Sequence, residues 1–225
     1  MESIELNGRT LHMFTSGSNG PTIFWGIGPG AAAEAAETDA LLRQSTDRPY
    51  RLMAYEAVDW NRDFSPWPAP AVQKTPFSGG AVDMLDWLRS SAIPFTDTTP
   101  EKCWIGGYSL SGLFSLWALG SGLFSGAIGV SPSLWFPGWA EYAQSICLPD
   151  GCGVYLSLGK QEARPRNPAM ASVGDRVCAF YEQLQSTAAC RFCTMEWNPG
   201  GHFTDPAARM ARGFAAMLNG QMRMD

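Results

Sequence analysis

The stretch that most constrains the fold of this chain is residues 106–114, with the sequence Gly-Gly-Tyr-Ser-Leu-Ser-Gly-Leu-Phe. A short apolar run, residues 103–105, precedes it, and a helical pattern of apolar residues follows it as far as Leu119. Glycines between two such patterns mark a sharp change of direction in the backbone. The stretch therefore predicts a strand that turns directly into a helix.

Ser109 lies at the centre of this turn, in a Gly-x-Ser-x-Ser pattern that differs by one residue from the Gly-x-Ser-x-Gly nucleophile elbow of α/β-hydrolases. So tight a turn needs small residues two before and two after the serine, and Gly107 and Ser111 meet that need. The turn would lift the serine hydroxyl off the carboxyl end of the sheet and aim backbone N–H groups at the same space. Ser109 is thus a candidate nucleophile. The alternative is an ordinary glycine-rich turn with an exposed serine.

Length and composition predict one compact α/β domain over residues 1–225, because 45% of the residues are hydrophobic and only 16% are charged. The formal net charge of −5 and the lack of any basic cluster argue against a nucleic-acid partner. No apolar run is long enough to cross a bilayer, and the first residues lack the features of a signal peptide. We therefore expect a cytoplasmic protein with no membrane partner. No sequence feature indicates an oligomeric state.

Strand and helix patterns alternate along the chain after an N-terminal hairpin around Asn7-Gly8. The apolar run at residues 21–27 lacks the alternation of a half-exposed strand, so it predicts a central strand buried on both faces. Further strands are predicted at residues 50–55, 103–105, 126–130, 153–159 and 191–197, and the helical patterns lie at residues 31–43, 81–90, 110–119, 170–185 and 205–218. The alternation predicts a mostly parallel, doubly wound sheet with helices on both faces. No insertion is long enough for a large lid domain.

Residues 59–70 form an unusual segment with two tryptophans, three prolines and two acids. The prolines exclude a helix or a central strand, so the sequence predicts a stiff loop. Loops at the carboxyl ends of strands build the ligand site in open α/β sheets. We interpret the segment as a pocket wall, with Trp60 and Trp67 offering apolar faces and Asn61 a polar anchor. The alternative is a packed Ω-loop over the edge of the core.

A second glycine-rich loop, residues 28–30, follows the first predicted central strand. In α/β-hydrolases the corresponding loop supplies an oxyanion donor. An ordinary strand–helix connection is the alternative. A phosphate-binding loop is a poorer interpretation, because the spacing fits neither the Gly-Lys-Ser/Thr ending nor the Gly-x-Gly-x-x-Gly pattern.

The candidate base is His202, the only histidine that follows Ser109 in the chain. The α/β-hydrolase order is nucleophile, acid, histidine, and His202 lies in a glycine-rich loop after the last predicted strand. The other histidine, His12, precedes the serine and lies in the N-terminal hairpin.

The candidate acid is Glu162, because it follows the penultimate predicted strand. Its carboxylate would fix the tautomer of the imidazole and stabilise the imidazolium. Three alternatives remain at this stage. Glu162 could pair with Arg164 or Arg166 at the surface, Asp175 could replace it, or a Ser–His dyad could act without an acid.

The six cysteines include a Cys190-x-x-Cys193 pair inside an apolar segment that is typical of a strand. No second pair and no nearby histidine has the spacing of a zinc site. The sequence therefore favours free thiols in the core and predicts neither a metal nor a cofactor.

Four segments together resemble an esterase family that includes esterase D-type S-formylglutathione hydrolases, feruloyl esterases and enterobactin-type trilactone esterases. They are residues 59–70, 106–114, 129–135 and 201–203. The resemblance implies Ser109 as nucleophile, His202 as base and Glu162 as acid. It also places the oxyanion donors at the backbone N–H of Leu110 and of a residue near Ile27 or Gly28.

Two residues in these segments, Tyr108 and Trp135, are further candidates for substrate binding. The sequence also departs from the family pattern in two places. Ser111 stands where glycine is usual, and residues 25–28 lack the usual histidine- or aspartate-glycine approach.

The function predicted from the sequence is hydrolysis of a small-molecule carboxylic ester through a Ser–His–acid triad and an acyl-enzyme. The apolar loops suggest a small or aromatic acyl group. One alternative is an acyltransferase with the same triad. Another is a catalytically silent ligand-binding protein on the hydrolase fold, which the serine at position 111 favours.

Overall fold

A computed structural model describes residues 1–71, 75–162 and 168–220 of the chain. Its ten strands within these ranges are β1 (Glu2–Leu6), β2 (Arg9–Thr15), β3 (Thr22–Ile27), β4 (Arg51–Glu56), β5 (Pro68–Ala69), β6 (Phe77–Ser78), β7 (Cys103–Tyr108), β8 (Gly126–Val130), β9 (Cys152–Gly159) and β10 (Cys190–Asn198). Eight of them form one sheet in the order β1-β2-β4-β3-β7-β8-β9-β10, and β5 pairs with β6 separately. Only the β1–β2 and β2–β4 pairs of the large sheet are antiparallel.

The helices connect these strands over both faces of the sheet. The α-helices of the described residues are α1 (Ala32–Ser45), α2 (Trp60–Asp63), α3 (Ala81–Trp87), α4 (Ile93–Thr96), α5 (Leu110–Leu119), α6 (Trp139–Ser145), α7 (Pro168–Ala171), α8 (Val173–Ser186) and α9 (Pro206–Gly220). A π-helical turn over Leu88–Ala92 joins α3 to α4, and a 3₁₀ turn over Pro100–Lys102 precedes β7.

Strand β3 is buried on both faces, as the continuous apolar run at residues 21–27 predicts. Along β3, Phe24 belongs to a core cluster with residues of α3, α5 and α8, whereas Ile23 and Trp25 belong to a second cluster with residues of α1 and α9. Successive side chains of a strand point to opposite faces, so the two clusters are the two layers of the core. All residues of β3 are buried.

Three local predictions differ from the structure. Residues 60–63 form the one-turn helix α2, because the prolines begin only at position 66 and the Asp59 carboxylate caps the helix by accepting the N–H of Arg62 at 3.0 Å. The helix predicted over residues 81–90 continues through a π-helical turn into α4. The helix predicted over residues 170–185 is divided into α7 and α8.

The carboxyl ends of the parallel strands meet at one edge of the sheet, and there the segments with functional residues come together. No helix within the described ranges is long and apolar enough to cross a bilayer. The single-domain organisation and the cytoplasmic location stay predictions.

Candidate active site

The turn between β7 and α5 holds Ser109 in a strained backbone conformation. Its φ of 59° and ψ of −120° are unusual for a residue other than glycine. The Ser109 N–H donates to the carbonyl of Val130 at 3.0 Å, which ties the turn to β8. A Cβ atom on Gly107 would lie 2.3 Å from the backbone of Ser111, so this position accepts only glycine. The turn therefore has the geometry that its small residues predicted.

Ser111, the departure from the usual elbow pattern, is fully buried and accommodated. Its Oγ donates to the carbonyl of Gly26 at the end of β3, at 2.8 Å. A Cβ atom on Gly26 would lie 2.6 Å from this Oγ, so the hydroxyl occupies space that the glycine leaves free. The serine joins the elbow to β3 and does not block the turn.

Ser109, His202 and Glu162 form a continuous hydrogen-bonded chain, although they come from three distant parts of the sequence. The Oγ of Ser109 lies 3.0 Å from Nε2 of His202. Nδ1 of His202 lies 2.7 Å from Oε2 of Glu162. With its proton on Nδ1, the neutral imidazole would donate to the carboxylate and present the Nε2 lone pair to the serine hydroxyl.

Glu162 is buried, and its second oxygen has three donors. Its Oε1 accepts from the Gly159 N–H at 2.7 Å, from the Ser131 hydroxyl at 2.6 Å and from Nη2 of Arg209 at 2.8 Å. Burial by itself raises the pKa of Glu162, but hydrogen bonds from His202, Ser131 and Arg209 outweigh it and hold the pKa at about 2. The group is therefore an ionised carboxylate at neutral pH.

Of the alternatives for the acid, the structure describes Asp175. Asp175 lies exposed in the first turn of α8, and the carboxylate that bonds His202 is that of Glu162. Arg164 and Arg166, the surface partners considered for Glu162, lie outside the described residues.

Sequence reasoning missed three residues of this network. Ser131 and Arg209 bond Glu162, and the Oγ of Ser133 lies 3.4 Å from that of Ser109. Ser131 and Ser133 belong to the segment 129–135 that carried the family resemblance, without an assigned role. Arg209 could have been found from the sequence as a charged residue among the apolar positions of the last helix, which predicts a buried charge with a partner.

A cavity of about 870 Å³ opens beside Ser109 and His202. Most of its wall is apolar and aromatic, with the polar side chains of Glu34 and Asn61 among the lining. Of the residues predicted to form the site, the cavity is lined by Ile27, Gly28, Trp60, Asn61, Tyr108, Ser109, Leu110, Trp135 and His202. The aromatic residues Trp25, Phe77 and Phe203 line it as well.

Comparison with solved structures finds similar folds. The siderophore hydrolase EstA from Aspergillus nidulans is 16% identical, with a TM-score of 0.75 over 94% of this chain and 90% of that one. An IroE-like serine hydrolase from Shewanella oneidensis is also 16% identical, with a TM-score of 0.72 over 94% of this chain and 76% of that one. A ferulic acid esterase is 12% identical, with a TM-score of 0.62 over 96% and 93%.

The chain has the α/β-hydrolase fold. This confirms the fold class predicted from the sequence, without a large lid domain in the described ranges. No family model matches the sequence, and no curated protein matches it. Identities this low show the fold alone.

Within this fold, the prediction that Trp67 forms part of the pocket wall is wrong. Its ring packs on Phe136 and Tyr142, with ring centroids 5.9 and 5.6 Å apart, and its Nε1 donates to the carbonyl of Pro137 at 2.7 Å. The side chain thus anchors the loop to α6 and does not line the cavity. Trp60 and Asn61, by contrast, line the cavity, and their role in substrate binding stays a prediction.

The loop after β3 borders the cavity on the side where α/β-hydrolases have their second oxyanion donor. It is held by hydrogen bonds from Ala57 N–H to the Ile27 carbonyl at 2.9 Å and from Gly30 N–H to Oε2 of Glu56 at 2.9 Å. Leu110 is the first residue of α5, so its N–H has no partner within the helix. The roles of Leu110, Ile27 and Gly28 as oxyanion donors stay predictions.

The remaining candidates for metal or redox chemistry were the cysteines. Cys190 and Cys193 lie half-buried on β10 and pack against the core, and all six cysteines are free. Across the ranges that the structure describes, no group of three or more His, Cys, Asp and Glu side chains is placed to hold a metal ion.

Proposed function

We propose that this protein is a serine hydrolase that cleaves carboxylic esters, with Ser109 as nucleophile, His202 as base and Glu162 as acid. The main support is the unbroken chain of contacts, 3.0 Å from Ser109 Oγ to His202 Nε2 and 2.7 Å from His202 Nδ1 to Glu162 Oε2. The strained turn presents this serine to an aromatic cavity. The α/β-hydrolase neighbours whose names include hydrolase or esterase agree with the proposal.

In the first half of the proposed reaction, Oγ of Ser109 attacks the ester carbonyl while Nε2 of His202 takes its proton. The tetrahedral oxyanion accepts hydrogen bonds from the N–H of Leu110 and of Ile27 or Gly28. The intermediate then collapses, the C–O bond to the alcohol breaks, and the leaving alcohol takes the proton from Nε2. An acyl-enzyme remains.

In the second half, His202 takes a proton from water as the water oxygen attacks the acyl-enzyme. Collapse of the second intermediate releases the carboxylic acid and returns the proton to Ser109. Glu162 stays ionised throughout and stabilises the imidazolium that forms in both halves.

We propose an ester of a small molecule with a small or aromatic acyl group as the substrate. The wall of the cavity includes Trp60, Phe77, Tyr108 and Trp135, whose flat faces suit an aromatic group. Two structural neighbours are named a siderophore hydrolase and a ferulic acid esterase, and ferulic acid is an aromatic acid, which agrees with an aromatic acyl group.

An organophosphonate that carries an aryl leaving group tests the proposal directly. We expect it to label the protein once per chain, at Ser109, because this hydroxyl is paired with His202 at the wall of the cavity. The hydroxyl of Ser3 also lies beside an imidazole, 2.7 Å from Nδ1 of His12, but neither residue lines the cavity. Peptide mass spectrometry locates the label. Ser115→Ala, which removes a buried hydroxyl in α5 six residues after Ser109, is the matched control and is expected to label normally. A folded protein that takes no label, or takes it elsewhere, contradicts the proposal.

A pair of tryptophan variants tests the assignment of the cavity wall. Trp60→Ala is expected to raise KM for a p-nitrophenyl ester of an aromatic acid about tenfold, since truncating an aromatic contact costs about 1–2 kcal/mol. Trp67→Ala removes a tryptophan of the same segment that packs outside the cavity, so it is expected to lower the melting temperature and leave KM unchanged. Equal KM values for Trp60→Ala and the wild type would refute the assignment.

A further inference from the structure

Arg209 is a charged side chain in the interior of the protein, only 1% exposed, on the face of α9 that packs on the sheet. We propose that Arg209 is a positioning residue, which fixes the acid and the histidine of the triad to each other from behind. The inference rests on the proposed function. The guanidinium of Arg209 bonds the carboxylate of Glu162 and also the groups that hold the backbone of His202.

On the acid side, Nη2 of Arg209 donates to Oε1 of Glu162 at 2.8 Å and also to the hydroxyl of Ser131. Ser131 in turn donates to the same Oε1. These bonds, with the Gly159 N–H, occupy Oε1 and leave Oε2 for His202. A planar guanidinium has a fixed arrangement of donors, so it restricts rotation of the carboxylate.

On the histidine side, Nη1 of Arg209 donates to the carbonyl of Gly201 at 3.1 Å and to the hydroxyl of Tyr108 at 3.0 Å. The Tyr108 hydroxyl has one hydrogen, which it donates to the carbonyl of His202 at 2.5 Å. Arg209 therefore holds the carbonyl before the His202 Cα atom directly and the carbonyl after it through Tyr108. Tyr108 also directly precedes Ser109 in the chain, so this network ends beside the nucleophile.

The charge of Arg209 also matters for the histidine. Of the described residues, the titratable groups that contact Glu162 or its direct partners are Arg209, His202 and Tyr108. Glu34 of α1 also lies on the wall of the cavity that His202 lines. The guanidinium balances the carboxylate of Glu162. Without it, the uncompensated carboxylate would favour the protonated form of the adjacent imidazole, which cannot accept the serine proton.

The test is the dependence of kcat and KM on pH for the wild type, Arg209→Met and Arg209→Lys with p-nitrophenyl butyrate. Arg209→Met is expected to lower kcat about 100-fold with little change in KM, because the reacting groups lose their alignment. The acid limb of its kcat/KM profile is expected to move to higher pH. Arg209→Lys restores the charge but cannot make all four contacts. The acid limb of its kcat/KM profile should therefore lie close to that of the wild type, while its kcat stays reduced.

Arg212→Met is the matched control. Arg212 lies three residues further along α9, is exposed, and donates to Oδ1 of Asn198 at 2.7 Å without contacting the triad. It should keep both the kcat and the pH profile of the wild type. Circular dichroism and melting temperature monitor folding in every variant.

The inference is overturned if Arg209→Met keeps the wild-type pH profile. It is overturned as well if the profile is unchanged and kcat falls only in proportion to the fraction of folded protein.

If Arg209→Met does not fold, the kinetics of Tyr108→Phe and Arg209→Lys test the inference instead. Tyr108→Phe cuts the link to His202 but keeps the Arg209–Glu162 pair, so it should lower kcat without moving the acid limb. A kcat that is unchanged from the wild type in both Tyr108→Phe and Arg209→Lys overturns the inference.

A wild type that neither hydrolyses esters nor takes the phosphonate refutes the proposed function itself, and the inference with it.

Discussion

Replacing Ser109 or His202 with alanine is expected to lower kcat/KM for p-nitrophenyl acetate and butyrate by about 10⁴- to 10⁶-fold. Ser109 supplies the attacking oxygen, and His202 at 3.0 Å is the group in the described structure that is placed to take its proton. Since the two act as one unit, the double variant should be no worse than either single variant. Initial rates of p-nitrophenol release, with circular dichroism to verify the fold, provide the measurement.

Ser115→Ala serves as the matched control for this experiment and should keep the wild-type rate, since its hydroxyl donates within α5 to the Ser111 carbonyl. Activity that survives Ser109→Ala would show that the turn is not the nucleophile elbow. Inactivity of the wild type toward both esters, with normal phosphonate labelling, would indicate narrow specificity. Product analysis with an added alcohol distinguishes hydrolysis from acyl transfer.

Glu162→Gln is expected to lower kcat by about 10²- to 10⁴-fold while leaving KM nearly unchanged. The amide keeps the size of the side chain but removes the charge that stabilises the imidazolium, and it leaves the buried Arg209 without its carboxylate. Asp175→Asn, at the exposed alternative acid in α8, is the control and should keep the wild-type kcat. Loss of activity in Asp175→Asn but not in Glu162→Gln would reverse the assignment of the acid.

The same variant has a predicted effect on the pH dependence of stability. The pKa of Glu162 is about 2 in the folded protein, against an ordinary value of 4.5. A lowered carboxyl pKa stabilises the fold above the ordinary value, and this contribution is lost as the pH falls from about 4.5 toward 2. It amounts to about 3 kcal/mol in the free energy of unfolding.

Urea unfolding at several pH values measures this contribution as a difference between wild type and Glu162→Gln. Other carboxylates also have lowered pKa values. At Asp63, for example, burial raises the pKa, but the hydrogen bond and charge of Arg9 outweigh this effect. The pH dependence of the wild type alone would therefore not isolate the contribution of Glu162. The stability gap between the two proteins should be largest near pH 7 and shrink by about 3 kcal/mol toward pH 2. A gap that is constant over this range would contradict the assigned pKa.

The sequence predicted the elements that depend on neighbouring residues. The strand–turn–helix around Ser109 followed from small residues at 107 and 111, because only such residues fit a turn in which a Cβ atom on Gly107 would strike the backbone. The doubly wound sheet followed from apolar runs that alternate with helical patterns. The start of α9 at Pro206 agrees with the helical pattern predicted from position 205, since proline fits the first turn of a helix.

The chain order of the candidate residues also allowed part of the site to be inferred. Ser109, Glu162 and His202 each follow a parallel strand, and the carboxyl ends of parallel strands lie at one edge of the sheet. The topology thus brings the three residues into one region. Their catalytic roles stay predictions until the kinetic experiments are done.

What the sequence by itself determined is therefore the local backbone and the succession of strands and helices along the chain, since turn sterics and hydrophobic periodicity act between residues close in the chain. The tertiary structure alone decided which side chains meet. Trp67 and Trp60 belong to one segment, yet only Trp60 lines the cavity, because Trp67 finds a partner carbonyl and two aromatic rings around α6. Arg209 reaches Glu162 and Tyr108 only when α9 packs on the sheet, and no local pattern encodes such a contact.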